Sequence, residues 1–105
     1  MEEANMSYIN ELSGDSVAFK NRIISILKAE LPEEIKQYTD YKEQANYDQM
    51  YQMVHKLKHK ITVLGLEKSY YIAEEYELNL KNKTTKLQSE FENILKVMQE
   101  FVIQL

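Results

Sequence analysis

The two histidines of this chain, His55 and His59, are its strongest candidates for chemistry, since the chain has no cysteine to act as nucleophile or metal ligand. A neutral imidazole needs no base to act as a nucleophile, because one ring nitrogen already carries a lone pair. Residues 49–66 include three lysines and no acid, and Lys58 follows His55 by about one helical turn. This pattern suits the retention of an anionic group, such as a phosphoryl group, on His55.

The segment around His55 has the apolar spacing of a helix that packs along one face, and it is predicted to be helical over residues 46–64. At 100° per residue, His55 points roughly 140° away from the centre of the apolar stripe and is predicted to face solvent. Asn46 and Gln49 have the spacing of a capping box, and Gly65 is placed to end the helix in the left-handed conformation. The predicted core stripe consists of Met50, Met53, Val54, Leu57, Ile61 and Leu64.

Helical spacing of apolar residues extends along most of the chain. Asp15 is a suitable N-cap for a long second helix, in which Pro32 predicts a kink near residues 28–32. Thr85 and Gln88 repeat the capping-box spacing before the last apolar stripe. The predicted helices span residues 3–12, 15–43, 46–64, 67–81 and 85–105.

The composition supports one all-α domain over residues 1–105. The 44% of apolar residues are enough for a compact core. Only two glycines and one proline interrupt the chain, which favours long helices. Short connections favour antiparallel neighbours, so we expect an up-down antiparallel four-helix bundle with a short additional N-terminal helix. Such a bundle closes its own core, and a monomer is expected. The aromatic and methionine residues predicted to fill the core include Phe19, Phe91, Met98 and Phe101.

The charge and hydropathy of the chain exclude several classes of function. A net charge of -4 argues against nucleic-acid binding, which needs a basic face. The acidic, polar start of the chain does not resemble a signal peptide, and no segment approaches the roughly 20 apolar residues of a membrane span. The absence of cysteine suits a reducing compartment. We therefore expect a cytoplasmic protein that does not bind a membrane.

Several motifs together resemble the histidine-containing phosphotransfer (HPt) domain family. The family signature is a histidine, a lysine three residues later, a Leu-Gly pair and a later acidic residue. The chain matches it with His55-Lys56-Leu57-Lys58, Leu64-Gly65 and Tyr76-Glu77. The usual family layout is further matched by Gly14-Asp15, Phe19, Pro32 and Asp48.

The resemblance implies a phosphorelay carrier of two-component signal transduction, which is a stoichiometric phosphoprotein rather than an enzyme. His55 would accept a phosphoryl group from a receiver-domain aspartate as phosphohistidine, and Lys58 would stabilise the phosphate. The partners would be a response-regulator receiver domain, a hybrid histidine kinase, or both. The carrier would need no cofactor, because magnesium and the other catalytic groups belong to the receiver. The residues expected to border the receiver contact are Tyr51, Gln52, His59 and Thr62.

One departure from the family pattern keeps an alternative open. His59 stands where family members usually have glycine, and a bulky side chain there would narrow the access of a receiver to His55. The alternative is a pseudo-HPt interaction module that binds a receiver or kinase without carrying phosphate. A plain helical scaffold with an ordinary surface histidine is a further alternative, as is a metal held by His55 and His59. Lys56 and Lys60 are interpreted as solvated surface residues.

Overall fold

The computed structural model describes residues 2–105, and this part of the chain is helical with no strand. Four long helices follow one short N-terminal helix. None of the helices within residues 2–105 is both long and apolar enough to cross a membrane. The helices are α1 (Ser7–Ser13), α2 (Val17–Glu43), α3 (Tyr47–Val63), α4 (Glu67–Lys81) and α5 (Gln88–Ile103).

The ends of α3 follow the predicted capping residues. The Asn46 side chain accepts a hydrogen bond from the Gln49 backbone N–H at 3.3 Å, which satisfies one of the free donors of the first turn. Gly65 follows the helix with a φ of 75°, a conformation that residues with a β-carbon rarely adopt. The predicted capping residue and the left-handed glycine are therefore confirmed.

Two other predicted N-caps are wrong. The residue that caps α2 is Ser16 rather than Asp15, and its hydroxyl accepts from the Phe19 backbone N–H at 3.1 Å. The last helix begins after Leu87, which provides no side-chain cap, and Thr85 contributes only its carbonyl oxygen to a turn. Both errors are shifts of one to two residues at a helix end, where several hydrogen-bond acceptors compete for the same donors.

The helices pack around one core. α2 and α4 each pack against both α3 and α5, while α1 lies against α2 and α3. α2 continues through Pro32 as a single helix, so the proline does not divide the domain. All six residues of the predicted α3 stripe are buried, as are Phe91 and Met98. Phe101 is partly buried at the edge of this core.

The prediction that Phe19 belongs to the core is wrong, because 41% of this residue is exposed. The reason is the length of α2, which at 27 residues is about 40 Å long, whereas the 16 residues of α5 extend about 24 Å. The C-terminal end of α5 lies beside Lys28 and Leu31 of α2. The first turns of α2, where Phe19 lies, therefore extend beyond the end of α5.

A chain of polar groups joins α2, α4 and α5, and it runs from two buried tyrosines to the partly exposed Glu92 and Lys42. The Tyr38 hydroxyl donates to Oε2 of Glu92 at 3.0 Å and lies 2.8 Å from the Tyr76 hydroxyl. Since a hydroxyl has one proton, Tyr76 donates to Tyr38. Lys42 completes the chain with hydrogen bonds of 3.0 Å to both oxygens of Glu92. Burial raises the pKa of Tyr38 strongly and that of Tyr76 to about 12, and the nearby Glu92 carboxylate raises both.

The N-terminal segment folds back onto the turn between α3 and α4. The Asn5 backbone N–H donates to the carbonyl oxygen of Leu64 at 2.9 Å. The Glu2 carboxylate accepts from the backbone N–H groups of Lys68 and Ser69 at 2.9 and 2.8 Å. Burial acts to raise the pKa of Glu2, but these backbone hydrogen bonds outweigh it, so the pKa is lowered. Glu2 thereby caps a helix whose own N-cap residue provides no side-chain acceptor.

Candidate functional site

His55 lies on the exposed side of α3, with half of its side chain accessible to solvent. Its neighbours in the chain, Met53, Val54 and Leu57, are buried in the core. The predicted orientation of His55 is therefore confirmed. An imidazole in this position is held on a rigid helix and is open to a molecule that approaches from solvent.

The structure brings an acid to His55 from another helix. Oε1 of Glu77, on α4, lies 3.4 Å from Nδ1 of His55. The same oxygen lies 3.0 Å from Nζ of Lys58. Glu77 is 6% exposed, so its carboxylate lies under the surface while the imidazole lies on it. One buried carboxylate oxygen therefore connects the two residues that the sequence marks as the site.

Lys58 is buried against α4. Besides the contact with Glu77, its ammonium lies 3.9 Å from Oε2 of Glu74 and 5.3 Å from the centre of the Tyr70 ring. Burial opposes the charged form of Lys58, but the Glu77 carboxylate and its other neighbours outweigh that effect and raise the pKa of Lys58. The lysine is therefore a charged member of a buried ion pair.

The hydrogen bonding of the Glu77 carboxylate is incomplete. Oε1 of Glu77 is buried and receives no well-aligned hydrogen bond from any residue of 2–105, despite the short distance to Lys58. The contact with Lys58 is thus an ion pair in which charge is compensated without good hydrogen-bond geometry. Oε1 can therefore still accept a hydrogen bond from His55. Apart from Lys58, His55 is the only cationic or potentially cationic group of residues 2–105 within 4.0 Å of this oxygen.

Neighbouring helices also change the charge expected around α3. Lys60 is not a solvated surface residue, because its ammonium lies 2.9 Å from both Oε1 of Glu30 and Oε2 of Glu34 on α2. Burial opposes its charge, but the two carboxylates outweigh that effect and raise its pKa. Lys56 is exposed, as predicted. The count of three lysines and no acid in residues 49–66 considers α3 alone, and acids on α2 and α4 compensate two of these lysines.

The other predicted site residues lie along the accessible side of α3. His59 is exposed, and its ring meets that of His55 edge-on with centres 5.3 Å apart. Thr62 is exposed, and its hydroxyl donates weakly to the Lys58 carbonyl at 3.4 Å. Gln52 is exposed. Tyr51 is half-buried, and the ammonium of Lys81 lies 5.5 Å from the centre of its ring.

Sequence reasoning gave Glu77 no role at the site, although it noted the residue as an acid in the family pattern. A signal for it exists in α4, where Ala73, Tyr76 and Leu80 are buried at helical spacing and Glu77 lies in the same stripe. A carboxylate in a buried stripe needs a partner, because burying an unpaired charge is costly. The nearest cation along the facing helix is Lys58. Position in the stripe thus identifies Glu77 as a paired acid.

The arrangement does not form a metal site. Among residues 2–105, no group of three or more histidine, aspartate or glutamate side chains is placed to hold a metal ion. His55 and His59 are close enough to act together, but a stable site requires further ligands. The chemistry that the geometry permits is that of one exposed imidazole whose inner nitrogen faces a carboxylate.

No protein-family model, curated protein or solved structure matches this chain.

Proposed function

We propose that this protein is a phosphocarrier of the HPt kind, in which His55 accepts a phosphoryl group from a receiver-domain aspartate and passes it to another receiver. The observation that carries the proposal is the exposed imidazole of His55 with Nδ1 3.4 Å from the Glu77 carboxylate. A carboxylate beside Nδ1 favours the tautomer with a proton on that nitrogen. Nε2 then has its lone pair free and is the nucleophile.

Apart from His55, the groups that the transfer requires are supplied by the receiver. The Nε2 lone pair attacks the phosphorus of the aspartyl phosphate, a P–N bond forms, and the P–O bond to the aspartate breaks. The aspartate carboxylate leaves with the electron pair of that bond, and the imidazole acquires positive charge that Glu77 stabilises. Transfer to a second receiver reverses these steps. Magnesium belongs to the receiver, and the protein acts stoichiometrically without a cofactor of its own.

Lys58 has two functions in this proposal. Its charge compensates Glu77, which lies 3.0 Å away, so the carboxylate does not repel the incoming phosphoryl group. Its second function, stabilising a phosphoryl group on His55 one helical turn away, requires the ammonium to leave its buried contact with Glu77. In its observed position, Lys58 acts on His55 only through Glu77. It becomes a ligand of the phosphate when its ammonium reaches the outer face of the imidazole.

The proposed architecture behind this site is an up-down antiparallel four-helix bundle to which α1 is added. Contacts between α2 and α5 support opposite directions, because Glu92 near the start of α5 bonds to Lys42 near the end of α2. At the other end of α5, Val102 lies beside Leu31, which is near the middle of α2. A bundle of this kind provides the rigid α3–α4 pair on which His55 and Glu77 are held. The receiver would contact the exposed side of α3, including Tyr51, Gln52, His59 and Thr62.

A second candidate is a pseudo-HPt module that binds a receiver or kinase without carrying phosphate. The observation that favours it is the exposed ring of His59, which lies edge-on against His55. A receiver must bring its aspartate within bonding distance of Nε2, and a ring at this position reduces the space available. Binding would survive such an obstruction while transfer would not.

Transfer of labelled phosphate distinguishes the two candidates. Receiver domains encoded in the same genome are phosphorylated with a small-molecule donor, incubated with the protein and separated. The carrier proposal predicts label on the wild-type chain and none on His55→Gln, with His59→Gln as the matched control that retains label. A complex that forms without label in the wild type would support the binding module and contradict the carrier.

A further inference from the structure

A groove of about 820 Å³ lies where α1, α3 and α4 meet, on the side of α3 that carries Thr62. Three tyrosines, Tyr8, Tyr70 and Tyr71, line the groove together with Glu11 and Glu67. Its remaining lining residues are uncharged, so the groove combines aromatic rings with negative charge and contains no lysine or arginine.

Neither carboxylate of the groove forms an ion pair with a lysine or arginine of residues 2–105. Glu11 and Glu67 are exposed, and neither is within 4.0 Å of a lysine or arginine nitrogen belonging to residues 2–105. Glu67 lies in the first turn of α4, where the helix dipole stabilises a carboxylate. Glu11 has no such role in α1. Within residues 2–105 neither acid has an ion-pair partner, and only Glu67 is stabilised by a helix dipole.

The tyrosines are suited to the same kind of ligand. Tyr71 is 67% exposed, and its ring meets that of Tyr70 edge-on with centres 5.5 Å apart, so most of the ring is accessible to a ligand. The ammonium of Lys58 already lies 5.3 Å from the centre of the Tyr70 ring. One ring of the groove thus takes part in a cation–π contact within the fold, and the exposed rings offer the same interaction to a ligand.

We propose that this groove binds an arginine side chain of a partner protein. A guanidinium group is planar and always charged, so it can stack on a tyrosine ring and donate paired hydrogen bonds to a carboxylate at the same time. Lysine would gain the charge interaction but lose the stacking. The groove is adjacent to the exposed side of α3, so a partner docked there can reach it. The proposal does not depend on phosphotransfer by His55.

NMR titration of the ¹⁵N-labelled protein with the peptide acetyl-Gly-Arg-Gly-amide tests this proposal. Saturable shifts are expected at the backbone amides of Tyr8, Glu67 and Tyr71. The same peptide with citrulline, which has the shape of arginine without its charge, is expected to bind at least about five-fold more weakly. Equal binding of the two peptides, or no saturable shift with arginine, would overturn the proposal.

Variants locate the binding in the groove. Glu67→Gln and Tyr71→Ala are each expected to weaken peptide binding about three-fold, and Glu11→Gln/Glu67→Gln about ten-fold. Tyr71→Phe retains the ring and Glu75→Gln removes an acid of α4 outside the groove, so both are expected to bind as the wild type does. His55→Gln is also expected to bind normally, which separates this proposal from the proposed function. Equal weakening by Glu75→Gln would mean that only net charge matters and would contradict a site in the groove.

Discussion

Nδ1 of His55 lies 3.4 Å from Oε1 of Glu77, which places a buried carboxylate of α4 behind an exposed imidazole of α3. The relationship assigns different environments to the two ring nitrogens. Nδ1 lies beside a buried carboxylate, whereas no acid of residues 2–105 other than Glu77 is found within 4.0 Å of Nε2 in a side chain that is half exposed. The chemistry proposed for His55 depends on this difference, because it determines which nitrogen has a free lone pair.

Replacing Glu77 with glutamine should slow phosphotransfer without abolishing it. The amide retains the size of the side chain but removes the charge that stabilises a positive imidazole, and we expect a loss of about 10-fold, which corresponds to roughly 1.4 kcal/mol in the barrier. The measurement is the single-turnover rate of label transfer from a phosphorylated receiver. Glu75→Gln, which removes an exposed acid of the same helix, is the control and should leave the rate unchanged within about two-fold. An unchanged rate in Glu77→Gln would show that the carboxylate does not assist transfer.

The ion pair between Lys58 and Glu77 should stabilise the fold only as a pair. Lys58→Met leaves a buried carboxylate uncompensated and should lower the free energy of unfolding by roughly 2–4 kcal/mol, whereas Lys56→Met, at an exposed position, should change it by less than about 0.5 kcal/mol. Urea denaturation of Lys58→Met, Glu77→Gln and the double variant Lys58→Met/Glu77→Gln measures the coupling between the two residues. We expect the double variant to be more stable than the sum of the single changes predicts. Additive losses would contradict a direct interaction.

The protein should lose stability at high pH. Burial and Glu92 raise the pKa of Tyr38 and raise that of Tyr76 from 10.0 to about 12 in the folded protein. Between these two pKa values the unfolded chain releases a proton that folded Tyr76 retains, so stability present below pH 10 is lost as the pH rises toward 12. The raised pKa values of Lys58 and Lys60 act in the same direction.

Urea midpoints measured between pH 8 and about pH 11 test this dependence. Tyr76→Phe should make the midpoint fall less steeply above pH 10, at the cost of one buried hydrogen bond to Tyr38 at all pH values. Tyr71→Phe, at an exposed ring, is the matched control and should retain the wild-type slope. The same slope in all three proteins would show that the buried tyrosine does not cause the loss.

Replacing His59 with glycine should increase the rate of transfer. The change removes the ring that lies edge-on against His55, and a gain of about ten-fold would correspond to roughly 1.4 kcal/mol in the barrier. Glycine inside a helix lowers the free energy of unfolding by about 1 kcal/mol, so His59→Ala is measured beside it to separate ring size from backbone flexibility. A rate that stays the same in both variants would show that His59 does not obstruct a receiver.

Much of α3 could be predicted from the sequence, because its information is local. The apolar stripe determines which side of the helix faces the core, and therefore which side carries His55. The Asn46 cap and the left-handed Gly65 involve only neighbouring residues, and both are confirmed. Features that depend on spacing within one helix can thus be predicted before the tertiary structure is known.

The electrostatic surroundings of α3 could not be predicted in the same way. Glu30 and Glu34 reach Lys60 from α2, and Glu77 reaches Lys58 from α4, so both ion pairs depend on how helices are aligned. The exposure of Phe19 has a related cause, since it follows from the extent of α2 beyond its neighbours rather than from residue type. These features are set by the register between helices, which a periodic pattern in one helix does not encode.

The position of the phosphoryl group on the imidazole is the sharpest test of phosphotransfer through Nε2 of His55. The protein is labelled with ¹⁵N in its imidazole rings, phosphorylated by a receiver and examined by NMR for coupling between ³¹P and a ring nitrogen. We expect coupling to Nε2 of His55, with Nδ1 retaining its proton beside Glu77. A phosphoryl group on Nδ1 of His55, on His59 or on neither histidine would contradict it.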